Sequence, residues 1–302
     1  MPYRLMAYLV KFLSLLIELP GRLLVFNLST PEVGKEELDV PYDHVNRRKQ
    51  SLDVFVPKGA PPYPILIYIH GSGFHAMDKK SFRRICRWFA DKGYLMFNVN
   101  YRLAPECGFP EQVTDVARAV RWGYDHASEY GGDNSRIFLG GDWAGAYFSS
   151  MYAAALNEPG LLDSLSMQEG IRPQSIKGLL LFYGGYDFDT VVKTRFPFIG
   201  TMVRGYLGEE DDGYRHRVEL ASPTRHVGRD YPPAYITVGS WDPLYSESVL
   251  FDRVLIESGV PHRTHIFPKR YLDGFHGFLC VPFSKCSQIA LEEAAEFMDG
   301  LK

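Results

Sequence analysis

The chain reads as an α/β protein, a mostly parallel central sheet with helices on both faces and a helical cap. Two observations carry that reading. Runs such as PYPILIYIHG (62–71) and KGLLLFYG (177–184) are continuously apolar, as strands buried on both faces are. They alternate along the chain with segments of helical period, the order in which a parallel sheet is wound. With 302 residues, 46% hydrophobic and 23% charged, the chain supports a large core and suits one α/β domain with an accessory cap.

The first element lies in MPYRLMAYLVKFLSLLIELPGRLLVF, an apolar helix ending near Pro20-Gly21. Arg4, Lys11 and Glu18 recur every seven residues with Ser14 on the same side, a narrow polar stripe. The charges argue against a membrane span, which needs about 20 largely uncharged residues. They also spoil the apolar stretch and cleavage site of a signal peptide. Residues 1–36 are read as a cap segment whose helix packs over the domain. An interfacial membrane helix is the lesser alternative and a targeting segment the least.

The domain proper is read as 37–302. ELDVPYDH (37–44) and QSLDVFVP (50–57) alternate and predict antiparallel strands; PYPILIYIHG follows as a buried strand. A helix is expected over 78–92, a strand over 94–101 and a helix over 109–127, where Val113, Val116, Val120 and Tyr124 keep helical spacing. Then come a strand at 135–142, a helix at 144–157 and the strand KGLLLFYG. A cap insertion occupies about 185–220. Strand 232–240, helix 246–259, strand 262–269 and helix 287–300 complete the chain.

Composition narrows the functions. The formal charge is −3 and the longest basic run is Arg47-Arg48-Lys49, so no nucleic-acid-binding face is expected. Cys86, Cys107, Cys280 and Cys286 lack C-x-x-C spacing and read as reduced thiols of a cytoplasmic protein, with a Cys280–Cys286 disulfide less favoured. No metal-ligand cluster or phosphate-binding glycine loop is seen, and no cofactor is expected.

FLGGDWAGAYFSS (138–150) is a strand, a sharp glycine turn and a small-residue helix, the form of a nucleophile elbow G-x-S-x-G. In the frame Gly141-Asp142-Trp143-Ala144-Gly145 the tip is tryptophan. IHGSGF (69–74) follows a buried strand, and its glycines let backbone N–H groups approach an oxyanion. Asp242, in GSWDPLYSE, either orients an imidazole or only caps the next helix. His276 lies in YLDGFHGF after the last strand. The order elbow, Asp242, His276, each at the carboxyl end of a strand, favours the functional reading.

HGSGF (70–74), YRLAPE (101–106), GDWAGA (141–146), ASP (221–223), DPL (242–244) and HGF (276–278) together resemble the hormone-sensitive-lipase-like esterases of the α/β-hydrolase fold, from about residue 40 to the end. The resemblance implies Asp242 and His276 as acid and base, and the N–H groups of Ser72, Gly73 and Ala144 as the oxyanion hole. It implies a cap made of the N-terminal segment and the insertion, a structural role for Tyr101 and Arg102, and short to medium acyl substrates. HGSG in place of HGGG is a mild departure. Trp143 in place of serine is severe.

Indole has no lone pair to offer as a nucleophile, since its nitrogen is a donor only. Loss of the serine of a triad costs on the order of 10⁶-fold in turnover. The ring is also expected to occupy the place of the substrate carbonyl, on a backbone strained by about 1–3 kcal/mol. Ser72, Cys107 and Tyr147 are weak substitutes. Sliding the frame back makes Asp142 the tip, as in haloalkane dehalogenases, a low-ranked alternative. Three readings follow: an esterase scaffold with classical ester hydrolysis lost or very weak, a small-molecule-binding regulatory module, and a lyase or cyclase using His276 and Asp242 as a base. The expected ligand is small, apolar and ester-like, and Phe196, Phe198 and Tyr206 hint at its pocket.

Overall fold

The structure, a computed structural model, describes residues 2–168 and 170–301, with side chains from residue 5 onward. Its strands are β1 (Lys35–Pro41), β2 (Ser51–Val56), β3 (Tyr63–Ile69), β4 (Leu95–Val99), β5 (Gly132–Asp142), β6 (Ile176–Phe182), β7 (Ala234–Gly239) and β8 (His262–Phe267). They form one sheet of eight strands in the order β1-β2-β4-β3-β5-β6-β7-β8. β1 and β2 pair antiparallel, as does β2 with β4, and the pairs from β4–β3 to β7–β8 are parallel. The continuous apolar runs are the central strands: every residue of β3 and of β7 is buried.

The helices are α1 (Pro2–Gly21), α2 (Arg83–Asp91), α3 (Glu111–His126), α4 (Ala144–Asn157), α5 (Leu161–Ser164), α6 (Phe188–Val191), α7 (Ile199–Leu207), α8 (Tyr214–Ala221), α9 (Tyr245–Ser258) and α10 (Lys285–Asp299). α4 is buried from Ala144 to Ala155, as a helix apolar on all sides must be. It can start so close to the sheet because glycines flank its turn. A Cβ on Gly145 would lie 1.8 Å from the Ile69 carbonyl oxygen, and one on Gly141 2.2 Å from the same atom.

Several elements differ from the sequence expectation. The segment 78–92 opens as a tight turn (Lys79–Phe82) before α2, because the Asp78 carboxylate accepts from the Lys80 N–H at 3.1 Å. The insertion holds three short helices, α6 to α8, too brief to announce a period of their own. Beyond α1 the chain keeps winding as a wider turn over 22–26, and the Phe26 ring lies where a Cβ on Gly21 would be, 2.4 Å away. All four cysteines are free and buried, so the disulfide alternative fails.

α1 rests on the domain through Ala7 and Val10, both buried, and packs on α7. Its polar stripe is turned toward the protein. Lys11 Nζ donates to Glu106 at 2.7 Å, and Ser81 Oγ donates to the carboxylate of Glu18, which is only 5% exposed. The side chain of Arg4 lies outside those described. Among the described residues no helix is long and apolar enough to cross a membrane.

Candidate active site

The site forms at the carboxyl ends of β3, β5, β7 and β8. β5 ends at Asp142, α4 begins at Ala144, and Trp143 alone makes the turn, with φ 41° and ψ −106°. This is the left-handed region that a bulky residue seldom adopts, at a cost of about 1–3 kcal/mol. The Trp143 N–H is tied to the Phe182 carbonyl at 2.9 Å.

The indole is buried, with its face tilted against Phe196 at 4.3 Å between centroids. Its six-membered ring reaches the loop after β3: a Cβ on Gly73 would lie 2.5 Å from indole Cη2 and 2.8 Å from Met202 Sδ. Beyond the ring, toward Phe74, Phe188 and Val203, the void is only about 10 Å³. On the other side a cavity of about 410 Å³ opens beneath α1, walled by Ile17, Phe26, Met77, Trp143 and Phe275, with Ser72, Asp142 and His276 at its polar end.

His276 Nδ1 meets the Asp242 carboxylate at 2.9 and 3.1 Å. Asp242 is buried and its Oδ1 also accepts from the Leu244 N–H at 2.8 Å, so it steadies the turn into α9 and the imidazole together. Among the described residues nothing in the chain bonds the His276 Nε2. Ser72 and Gly73 both have positive φ, 101° and 57°, which turns successive backbone N–H groups of this loop inward. Neither N–H donates to an acceptor among the described residues.

Asp142 is fully buried. Tyr68 Oη and the Gly71 N–H both donate to its Oδ1 at 3.0 Å. Burial pushes its carboxyl up to about 6, against the lowering effect of those two bonds and of nearby His276.

The flanking motifs hold the frame. Tyr101 Oη donates to the His70 carbonyl at 3.0 Å, and Arg102 grips buried Asp115 through Nε at 2.8 Å and Nη2 at 2.7 Å. Tyr147 Oη pairs with Tyr206 Oη at 3.0 Å, away from His276, and burial raises the Cys107 thiol to about 12. Of the aromatics expected in the pocket, Phe196 covers His276 at 4.8 Å, and Tyr206 stacks on Phe74 at 4.0 Å deeper in. Phe198 is 53% exposed and lines neither void, because its left-handed φ of 59° at the start of α7 swings it outward. Phe26, Met202 and Phe275 were not legible as site residues, although Phe275 adjoins His276 in GFHGF. Among the described residues no three His, Cys, Asp or Glu gather to hold a metal ion.

The sequence model of the BD-FAE family matches residues 52–255. Esterase LipI of Mycobacterium tuberculosis is 30% identical over 207 residues, covering 67% of this chain and 62% of LipI. The chain thus spans under two thirds of that relative's length. Esterase B from Lactobacillus rhamnosis superposes with a TM-score of 0.86 at 20% identity, covering 99% of this chain and 96% of that one. It is known also in a form inhibited by a tributyrin phosphonate. The carboxylesterase EstE1, cloned from a metagenomic library, gives a TM-score of 0.77 at 27% identity, covering 97% and 98%. With its eight-stranded sheet, its elbow and the motifs named above, the chain belongs to the BD-FAE family, on the carboxylesterase-like scaffold of the hormone-sensitive-lipase-like α/β-hydrolases.

Proposed function

We propose that this protein is an esterase-fold chain silenced at its nucleophile, retaining an apolar cavity for a small ester-like ligand but not the acyl-transfer step. The observation that carries the reading is the position of the Trp143 ring, wedged between the imidazole of His276 and the loop at Gly73. In this scaffold the tip residue supplies an oxygen, the base takes its proton, and N–H donors stabilise the developing oxyanion. Here Asp242 still holds His276, and Ser72 and Gly73 still present free N–H groups. The tip offers carbon and an N–H donor only. The ring also fills the space a carbonyl carbon would need, so the ligand is held on the α1 side of the indole.

The Asp142 frame is less well supported. The strained φ belongs to Trp143, and the Asp142 carboxyl is committed to Tyr68 and Gly71 with its ionisation opposed by burial. A base-only reaction at His276 is the second reading, favoured by the intact 2.9 Å contact with Asp242 and the free Nε2.

A fluorophosphonate that phosphonylates activated serines tests the reading. The unmodified protein should take no label and Trp143→Ser should be labelled, with labelling lost in Trp143→Ser/His276→Ala. Labelling of the unmodified protein that disappears in His276→Ala would mean that another nucleophile serves the base.

A further inference from the structure

Among the described residues nothing covers the outer side of α1. A helix on a protein in water ordinarily turns its apolar face inward and its charges outward. α1 does the reverse: Lys11 and Glu18 are engaged by Glu106 and Ser81, while Leu5, Leu9, Phe12 and Leu16 are 75, 46, 56 and 55% exposed. Leu23 and Leu24 prolong the band at 71 and 69%. An uninterrupted apolar strip of this kind is larger than scattered surface hydrophobics and marks a contact surface.

Charge beside the strip indicates what it contacts. Arg47, Arg48 and Lys49 sit on the turn between β1 and β2, half or fully exposed and without an ion-pair partner among the described residues. Hydrogen bonds carry this connection toward α1: Tyr42 Oη donates to the Asn100 carbonyl at 2.7 Å, the Asn100 amide donates to Asp78 at 3.0 Å, and Ser81, three residues on from Asp78, donates to Glu18 in the second half of α1 at 2.9 Å. Val45, on the same turn, is 77% exposed. A second copy of the chain would cover the leucines but make no use of the basic turn. A surface with an apolar interior and anionic headgroups satisfies both. The cavity opens at the same place, since Ile17 and Phe275 line it and are 74 and 43% exposed.

We propose that the protein docks on anionic bilayer surfaces through the outer face of α1, lying in the plane of the interface, with the mouth of the cavity turned to the lipid. α1 does not cross the bilayer. A ligand enters from the membrane, which fits a cavity walled mainly by Ile17, Phe26, Met77 and Phe275, with Ser14 and Glu18 of α1 as polar groups on its wall and Ser72, Asp142 and His276 at its inner end.

Cosedimentation of the full chain with phosphatidylcholine vesicles, with and without about 30% phosphatidylserine, tests this. Binding should be strong to the anionic vesicles and weak to the neutral ones. Phe12→Glu/Leu16→Glu should lower the partition constant at least about tenfold on both, because each side chain is exposed and its apolar burial in lipid is lost. Arg47→Glu/Arg48→Glu should lower binding about tenfold on anionic vesicles only. Hydrogen exchange of the unmodified protein gives an independent reading, with residues 5–24 becoming protected on adding anionic vesicles. Absence of binding, binding indifferent to Phe12→Glu/Leu16→Glu, or unchanged exchange in 5–24 would overturn the proposal. A dimer dissociated by Phe12→Glu/Leu16→Glu, without vesicle binding, would assign the face to a second copy instead.

Discussion

The ring of Trp143 meets the imidazole of His276 edge to face, with centroids 5.0 Å apart and planes at 89°. In a working esterase of this architecture that contact would be a hydrogen bond from a hydroxyl to the base. The packing here is favourable in itself, worth about 0.5–1.5 kcal/mol beyond burial, and it adds cohesion at the mouth of β5.

The wedge against Gly73 gives the first prediction. Gly73→Ala adds a methyl 2.5 Å from the indole at a residue with φ 57°, and should destabilise by about 3 kcal/mol. In the Trp143→Ser background the penalty should drop to about 1–2 kcal/mol, the backbone part together with the contact to Met202 Sδ at 2.8 Å, which its flexible side chain can relieve. Urea denaturation of the four proteins gives the coupling. Equal penalties in both backgrounds would mean that the ring does not press on this loop.

Asp142 gives a dependence on pH. Burial holds its carboxyl at about 6 in the folded protein, above the ordinary 3.8. The folded state therefore binds this proton more tightly than the unfolded chain. The stability it contributes is complete below about pH 4 and lost as pH rises through 6, on the order of 3 kcal/mol in all. Asp142→Asn keeps an oxygen to accept from Tyr68 and Gly71 and has nothing to titrate. The difference in unfolding free energy between Asp142→Asn and the unmodified protein should grow in favour of asparagine between pH 4 and 7. A difference that is flat with pH would contradict the assignment.

Glu18 carries the same sign to α1. Burial raises its carboxyl above the usual 4.5, opposed by the hydrogen bond from Ser81 and the charge of Arg22. Its contribution is full below that value and lost as pH rises past it. Glu18→Gln can still accept from Ser81, so hydrogen exchange in residues 7–21 should slow at pH 8 relative to the unmodified protein, with little difference at pH 4. Faster exchange at pH 8 would show that the charge itself anchors the helix.

Removing Asp115 should loosen the frame behind the site. Its buried carboxylate takes three bonds from Arg102, through the backbone N–H, Nε and Nη2, and one from Gln50 at 2.8 Å. Asp115→Ala leaves these donors without an acceptor and should cost about 3 kcal/mol in urea. A loss under about 1 kcal/mol would mark the pair as an exposed contact only.

The central strands were legible because burial on both faces leaves an uninterrupted apolar run, as in YPILIYI, which a half-buried strand does not give. The order of Trp143, Asp242 and His276 was legible for a related reason: each must follow a strand, and strands are easy to find. The orientation of α1 was not. A stripe made of Lys11 and Glu18 can face water or the protein, and which it faces depends on Glu106 and Ser81, 95 and 63 residues away. Met202 was equally hidden, since its place against Gly73 depends on how a short helix of the insertion folds back over β3.

The most direct measurement is turnover of p-nitrophenyl butyrate by the unmodified protein, Trp143→Ser and Trp143→Ser/His276→Ala. The unmodified protein should not rise above buffer, Trp143→Ser should exceed it by a factor on the order of 10³ or more, and the double variant should fall back to the level of the first. Turnover by the unmodified protein that His276→Ala abolishes would contradict the silenced site. So would a Trp143→Ser protein that folds normally, binds the ester and fails to cleave it.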